Sequence, residues 1–342
     1  MSAINNFEGH PPTIQGRMLD EKILNILINS SDSYVSGEEL CKLADVSRAA
    51  IWKHVEKLRE EGYDIEASPH LGYRLVDIPD SLIPSEIKWA LKTKIFGKEI
   101  ISYKKADSTN TIAYGLAEKG IKEGASIFAE EQTRGRGRRG KRWYSPAKGG
   151  IYLSCILRPK IAPNEISKIT LLAAVAVAKS IRSLTGLSAT IKWPNDILVN
   201  NKKVCGILTE MKAEQDRVDF IILGIGLNVN TQARHLPKGA TCLKDELCHS
   251  KIERDISRVE LARNILENLE EYYSILKKEG FKPIIEEWKS LSAMLGSRIR
   301  VILQNRTFEG QAHNIDENGS LVVRLDSGVL ERVSSGDIIM VR

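Results

Sequence analysis

Between Gly135 and Arg142 the chain reads Gly-Arg-Gly-Arg-Arg-Gly-Lys-Arg. Glycine lets successive backbone N–H groups turn to one side, as an anion nest. Arginine adds forked donors that stay charged and match phosphate or carboxylate oxygens. Without an anion, so many like charges are expected to repel and keep the loop mobile. Arg-Gly runs also occur in RNA-binding tails, but this one lies between two apolar, strand-like segments. No Gly-Lys-Ser/Thr follows it, which excludes a Walker A loop.

Three further groups of residues suit the same chemistry. Lys192-Trp193-Pro194-Asn195-Asp196 places a lysine at the end of an apolar strand. Such a cation can stabilise charge developing on a carboxylate or an α-phosphate, or it can pair with Asp196 in the turn. Ser108-Thr109-Asn110 can cap a helix N-terminus or bind the polar head of a small ligand. Gly224 and Gly226, in Gly-Ile-Gly-Leu-Asn-Val-Asn230, mark either close approach to a ligand or tight strand packing.

The elements needed to hold these groups are visible along the 342 residues, a length that suits two or three domains. Residues 1–17 are polar, lack the apolar core of a signal peptide, and are expected to be a disordered extension. Over 18–80, Leu19, Ile23, Leu24, Ile26, Leu27 and Ile28 form a helical apolar face. Ser36, with Glu39 three residues on, starts a second helix. Ser47 caps a third, Arg48 to Glu61, stopped by Gly62. Two short strands and a turn at Ser68–Gly72 follow. Helix, helix, turn, helix and hairpin make a winged helix-turn-helix. Its third helix is suited to a DNA major groove, with Ser36, Ser47, Arg48, Ala49, Trp52, Lys53 and His54 as candidate DNA contacts.

Asp77–Asp80 reads as a linker. Residues 81–292 mix helices and strands, predicting a largely antiparallel mixed sheet with helices on one face. The segment Ile166–Leu184 is apolar nearly all round and should be a buried helix. From 293 to 342, five short strands separated by glycine turns predict a small barrel. The fold class is therefore multidomain α+β. No apolar run approaches the length of a membrane-spanning helix. Five cysteines without a CxxC pair point to a reduced, cytoplasmic protein with no disulfide framework and no zinc site. The net charge of +6 permits an anionic partner.

Taken together, Asp107-Ser-Thr-Asn110, Gln132 with Gly135–Gly140, Trp143-Tyr-Ser-Pro146, Lys192–Asp196, Gly206-Ile-Leu and Gly224–Asn230 resemble the biotin–protein ligases. With the N-terminal module, the chain is similar to the bifunctional form that is also the biotin operon repressor. The resemblance implies a class II synthetase-like catalytic domain and an SH3-like C-terminal domain. It implies activation of biotin by ATP with Mg2+ to biotinyl-5′-AMP, with Lys192, Arg136 and Arg138 as catalytic residues. Transfer then goes to the biotin carboxyl carrier protein of acetyl-CoA carboxylase. Biotin would be held by Ser108, Thr109, Asn110, Gln132, Arg136, Gly137, Arg138 and Lys192. The adenylate would be held by Arg139, Lys141, Trp143 and Asn228. Operator DNA, a homodimer formed with adenylate bound, and corepression by the adenylate complete the implied picture. Thr133-Arg134 and Lys141 depart from the commoner family residues while keeping the charge. A biotin-sensing repressor without ligase activity and a lipoate-type ligase are the alternatives.

Overall fold

The computed structural model describes residues 14–30, 33–60, 62–214, 216–250 and 255–341. Most of the extension expected over residues 1–17 lies outside them, and residues 14–17 belong to the first helix. The chain forms two compact units, residues 1–80 and 81–342.

The first unit contains α1 (Ile14–Asn29), α2 (Gly37–Ala44), α3 (Arg48–Glu60), β1 (Asp64–Ser68) and β2 (Gly72–Asp77). Ser36 Oγ accepts the Glu39 N–H at 3.1 Å, starting α2. Asp45, at φ 59°, ends it in the left-handed region, and Ser47 Oγ accepts the Ala50 N–H at 3.3 Å to start α3. Ile23, Leu27, Leu40, Ile51, Val55 and Leu58 close a core of their own. Strands β1 and β2 pair antiparallel, and Val35 joins as a third through Tyr73. A Cβ on Gly72 would collide with the Val35 carbonyl, so this contact requires glycine.

The second unit runs α4 (Pro84–Lys88), β3 (Ile100–Tyr103), α5 (Thr109–Glu118), β4 (Ser126–Ala129), β5 (Gly150–Leu157) and α6 (Ile166–Thr185). Next come β6 (Thr190–Lys192), β7 (Asp196–Val199), β8 (Lys202–Glu214), β9 (Arg217–Asn228), α7 (Leu243–His249), α8 (Arg258–Lys278) and α9 (Lys282–Ser290). The last five strands are β10 (Arg298–Ile302), β11 (Thr307–Ile315), β12 (Leu321–Arg324), β13 (Leu330–Val333) and β14 (Asp337–Met340).

Strands β3 to β9 make a seven-stranded sheet in the order β3-β4-β5-β9-β8-β7-β6. Only β3 and β4 run parallel. The buried helix α6 packs on one face with α8 and α9, and Leu172, Val175 and Ile181 are fully or almost fully buried there. Burying each such side chain is worth about 1.5–3 kcal/mol.

The expectation of helices on one face needs correction, because α5 covers the other. Along β9 the side chains alternate: Phe220 and Ile222 pack with Ala113 and Ala117, while Ile221 and Leu223 join the α6 side. The run Phe220–Leu223 is buried on both faces and so shows no alternation in sequence. Strands β10 to β14 form a separate antiparallel sheet in the order β13-β12-β11-β10-β14. It is joined to the hairpins of the seven-stranded sheet by the Trp193 indole, which donates to the Gly319 carbonyl at 3.1 Å. No helix among the described residues is long and apolar enough to cross a membrane.

Candidate active site

A cavity of about 280 Å³ opens over β5, β8 and β9, and residues from α5, the glycine loop and the C-terminal sheet line it. At one end the side chains of Thr109, Asn110, Gln132 and Ser154 are tied together. Gln132 Oε1 accepts the Thr109 N–H at 2.8 Å, and its Nε2 donates to Ser145 Oγ at 2.9 Å. Ser154 Oγ lies 2.6 Å from Asn110 Oδ1 and 2.8 Å from Thr109 Oγ1. Asn110 Nδ2 donates to Glu210 Oε2 at 2.9 Å. Ser108, Thr109 and Asn110 are all buried, so their orientations are set before any ligand arrives. Ser108 occupies the N-cap position of α5 but makes no side-chain cap bond, contrary to the capping expected of it. Its own N–H is held by Asp107 Oδ1 at 2.6 Å, and the residue lines the cavity.

The glycine loop is a folded hairpin. Trp143 N–H donates to the Gly135 carbonyl at 2.9 Å, and Gly137 N–H donates to the Lys141 carbonyl at 2.7 Å. Arg136 and Arg142 pair across it. The tip turns through Arg139, at φ 53°, and Gly140, at φ 73°. The expected self-repulsion is met by acceptors from elsewhere in the unit. Arg136 Nη2 binds Glu210 Oε1 at 2.6 Å. Arg138 Nη1 donates to Asn195 Oδ1 at 3.2 Å and to the Gly336 carbonyl at 3.4 Å. Arg139 and Lys141 reach Asp337 at 3.5 and 3.4 Å. Burial lowers the Arg138 pKa below the ordinary arginine value, with neighbouring Arg139 adding to the effect and Asp337 and Asp196 opposing it. A partly desolvated cation of this kind binds an incoming anion more strongly than one in water.

At the other end Trp143 lies on two glycines that face each other across β8 and β9, Gly206 and Gly226. A Cβ on Gly226 would stand 2.5 Å from the indole nitrogen, so the bare backbone is what lets the ring lie flat on the sheet. Gly224 seats Asn110 in the same way. Both glycines therefore make room for the site's own side chains. Lys203 Nζ sits 5.4 Å from the Trp143 ring centre and 2.6 Å from Asp196 Oδ1. Leu236 to Ala240 form the rim. Asn228 is buried in the wall, and its Oδ1 has no partner among the described residues.

A polar head clamp, a caged cationic loop and an aromatic shelf thus share one cavity, which suits joining a small acid to a nucleotide. Comparison with known proteins agrees at the level of the whole chain. The bifunctional ligase/repressor BirA of Bacillus subtilis (strain 168) is 39% identical, over 94% of this chain and 98% of its own length. The chain belongs to the bifunctional biotin–protein ligase and repressor family. The Escherichia coli (strain K12) ligase/repressor is 28% identical over 93% of this chain and 95% of its own. Residues 103–228 match the biotin/lipoate A/B protein ligase family, residues 20–74 an HTH domain, and residues 294–341 the biotin protein ligase C-terminal domain. The structure of the biotin protein ligase from Aquifex aeolicus in complex with biotin and ATP superposes with a TM-score of 0.61. It is 28% identical and covers 72% of this chain and 99% of that one.

In this ligase, Ser108, Thr109, Asn110, Gln132, Arg136, Gly137, Arg138, Lys141, Trp143 and Asn228 all line the cavity. Lys192 and Arg139 do not. Lys192 ends β6 opposite Asp196, whose carboxylate is taken by Lys203, and Asn195 three residues further on does reach the cavity. On the DNA-binding module Ser47, Arg48, Ala49, Trp52 and Lys53 are exposed. Ser36 is half-buried and occupied as the α2 cap. His54 turns inward to Asp20, at 2.5 Å, rather than outward.

Several residues that line the cavity or hold its lining in place escaped the sequence reading: Lys203 and Asp337 line it, while Ser154 and Glu210 bond to the residues that do. Ser154 had a usable signal, as the only aliphatic hydroxyl in the wholly buried strand Gly150–Leu157. Glu210 and Lys203 are ordinary alternating positions of β8, and Asp337 sits in a different sheet. None of these three carries a local mark.

Proposed function

We propose that the cavity binds biotin at the Ser108–Asn110 and Gln132 end and ATP at the Trp143 and Asn228 end. The observation that carries this is the shared cavity: the buried polar clamp and the aromatic shelf are bridged by the glycine loop. A biotin carboxylate oxygen attacks the α-phosphorus, the bond to pyrophosphate breaks, and a mixed acyl-phosphate anhydride forms. Arg138 stabilises the charge that develops on the reacting carboxylate and phosphate, and Lys192, at the end of β6 outside the cavity lining, joins it when its side chain swings in on the bound substrate. Arg136 holds the loop down through Glu210, and Arg139 and Lys141 meet the outer phosphates. Mg2+, carried in on the triphosphate, neutralises phosphate charge when bound.

The closed loop keeps water off the anhydride until an acceptor lysine arrives. That lysine's neutral amine attacks the acyl carbon, the C–O bond to AMP breaks, and an amide forms with loss of a proton. The acceptor is the biotin carboxyl carrier protein of acetyl-CoA carboxylase, in a cytoplasmic setting. No protein nucleophile takes part, and the rate comes from positioning and electrostatics.

The repressor role follows by linkage. Adenylate that draws the loop's cations from their internal acceptors onto itself, and so holds the loop closed, favours a homodimer, and the dimer presents two α3 helices to two operator half-sites. The test measures carrier biotinylation and operator retardation together, each with and without biotin and ATP. Biotinylation that requires ATP, together with operator binding enhanced by biotin plus ATP, is the expected result. Operator affinity indifferent to both ligands would remove the linkage while leaving the ligase intact.

A further inference from the structure

Glu246, on α7, is 1% exposed, and no step of the reaction above calls on it. A carboxylate this deep persists only when its oxygens are bonded. Oε2 accepts from Asn200 Nδ2 at 2.7 Å. Oε1 accepts from Thr241 Oγ1 at 2.7 Å and from Lys202 Nζ at 3.3 Å. The carboxylate thereby clamps the β7–β8 turn to the chain that rims the cavity. Thr241 is the far side of the clamp, and its N–H donates to the Lys203 carbonyl at 2.9 Å.

The Thr241 carbonyl points the other way and accepts from Asn228 Nδ2 at 3.0 Å. That bond decides which way the Asn228 amide faces. A flipped amide would set Oδ1 against the Thr241 carbonyl, oxygen against oxygen, inside a wall where Asn228 is only 2% exposed. With Nδ2 committed, Oδ1 is left as an unpartnered acceptor on a residue that lines the cavity beside Trp143. A buried acceptor without a donor costs stability unless a ligand supplies one. The 6-amino group of adenine is such a donor, whereas a 6-oxopurine would present a second acceptor to it.

We propose that Glu246 is a positioning residue that sets the base specificity of the nucleotide end. Through Thr241 it fixes the Asn228 amide with its oxygen free, and so selects a 6-aminopurine nucleotide over a 6-oxopurine one. The inference rests on the reading that the base lies at Trp143 and Asn228.

The test uses the full chain and biotin-dependent pyrophosphate release, with ATP and GTP as probes and biotin varied separately. Glu246→Gln is expected to raise the KM for ATP and to cut the ATP-over-GTP ratio of kcat/KM, each by about tenfold. The KM for biotin should stay within about twofold, because its clamp shares no hydrogen bond with Glu246. Thr241→Val, which keeps the carbonyl but loses the hydroxyl held by Glu246, should move the same quantities in the same direction by less. It decides the matter if Glu246→Gln fails to fold by its thermal midpoint. Equal losses for ATP, GTP and biotin in these variants would make Glu246 a clamp of the fold alone and overturn the proposal. Asn228→Ala separates the two levels: if it leaves both the KM for ATP and the ATP preference intact, the placement of the base is wrong, and the proposal falls with it.

Discussion

In the glycine loop the cations meet the protein's own acceptors, whereas on α3 they meet water. Arg136 rests on Glu210, Arg138 on Asn195 and the Gly336 carbonyl, and Arg139 and Lys141 on Asp337. Arg48 and Lys53 of α3 are exposed and form no ion pair among the described residues. The two anions proposed for them account for the contrast. A small carboxylate or phosphate enters a half-closed cavity, where uncompensated like charges would spread the loop apart. Internal acceptors keep it in shape, and the substrate takes over part of their role. DNA is a polyanion wrapped in counterions, and a bare cationic face gains most by releasing them.

The strongest way to break this comparison is inside the cavity. Arg138→Ala and Lys192→Ala should each lower adenylate formation by about 10²-fold or more, read as biotin-dependent pyrophosphate release. Undiminished release in both variants would show that the loop and the β6 end do not handle the reacting anion. On the other surface, Arg48→Ala and Lys53→Ala should weaken operator binding by about tenfold each and flatten its salt dependence by about one counterion for each phosphate left unneutralised. Pyrophosphate release should not change. A loss of release alongside operator affinity would mean that the α3 cations serve the fold and not DNA.

Glu210→Gln sharpens the comparison further, since it removes the charge that cages Arg136 and binds Asn110. The expected effect is a several-fold rise in the KM for biotin, on the order of one partly exposed ion pair. It should come with faster escape of preformed adenylate, measured by trapping. An unchanged escape rate would release Arg136 from its role in loop closure.

The smallest effect concerns acid. Burial pushes the Glu246 carboxyl up, but hydrogen bonds from Asn200, Thr241 and Lys202 outweigh it and hold the group below the ordinary glutamate value. A carboxyl depressed on folding contributes stability above its unfolded value, about 4.3, and loses it as pH falls through the lower folded value. Thermal midpoints of wild type and Glu246→Gln should therefore converge as pH drops below about 4.3. A gap that persists in acid would assign the stabilisation to packing.

What could be seen in the sequence was local. Caps at Ser36 and Ser47, the stop at Gly62 and the polar Ser108–Asn110 start of α5 all act within a few residues, so the elements they bound were legible. The glycine loop was legible because its composition has few other uses. Features that arise only when distant strands meet were not. The roles of Gly224 and Gly226 depend on Asn110 and Trp143, which arrive from elsewhere in the chain. The acceptors that tame the loop come from β8, the β6–β7 turn, Gly336 and the start of β14, and nothing near Glu210 or Asp337 announces them. His54 shows the reverse error: its helical position looked outward, but buried Asp20 on α1 draws it in.

The ring of cavity residues runs from Ser108 to Asp337, so the ligase site cannot close until the ribosome has released the start of β14. The DNA-binding module closes its own core within residues 1–80. During synthesis, every copy of this chain therefore completes its means of reading an operator long before its means of sensing biotin. A truncated product ending between the two would be a DNA-binding fragment with no metabolic signal to obey.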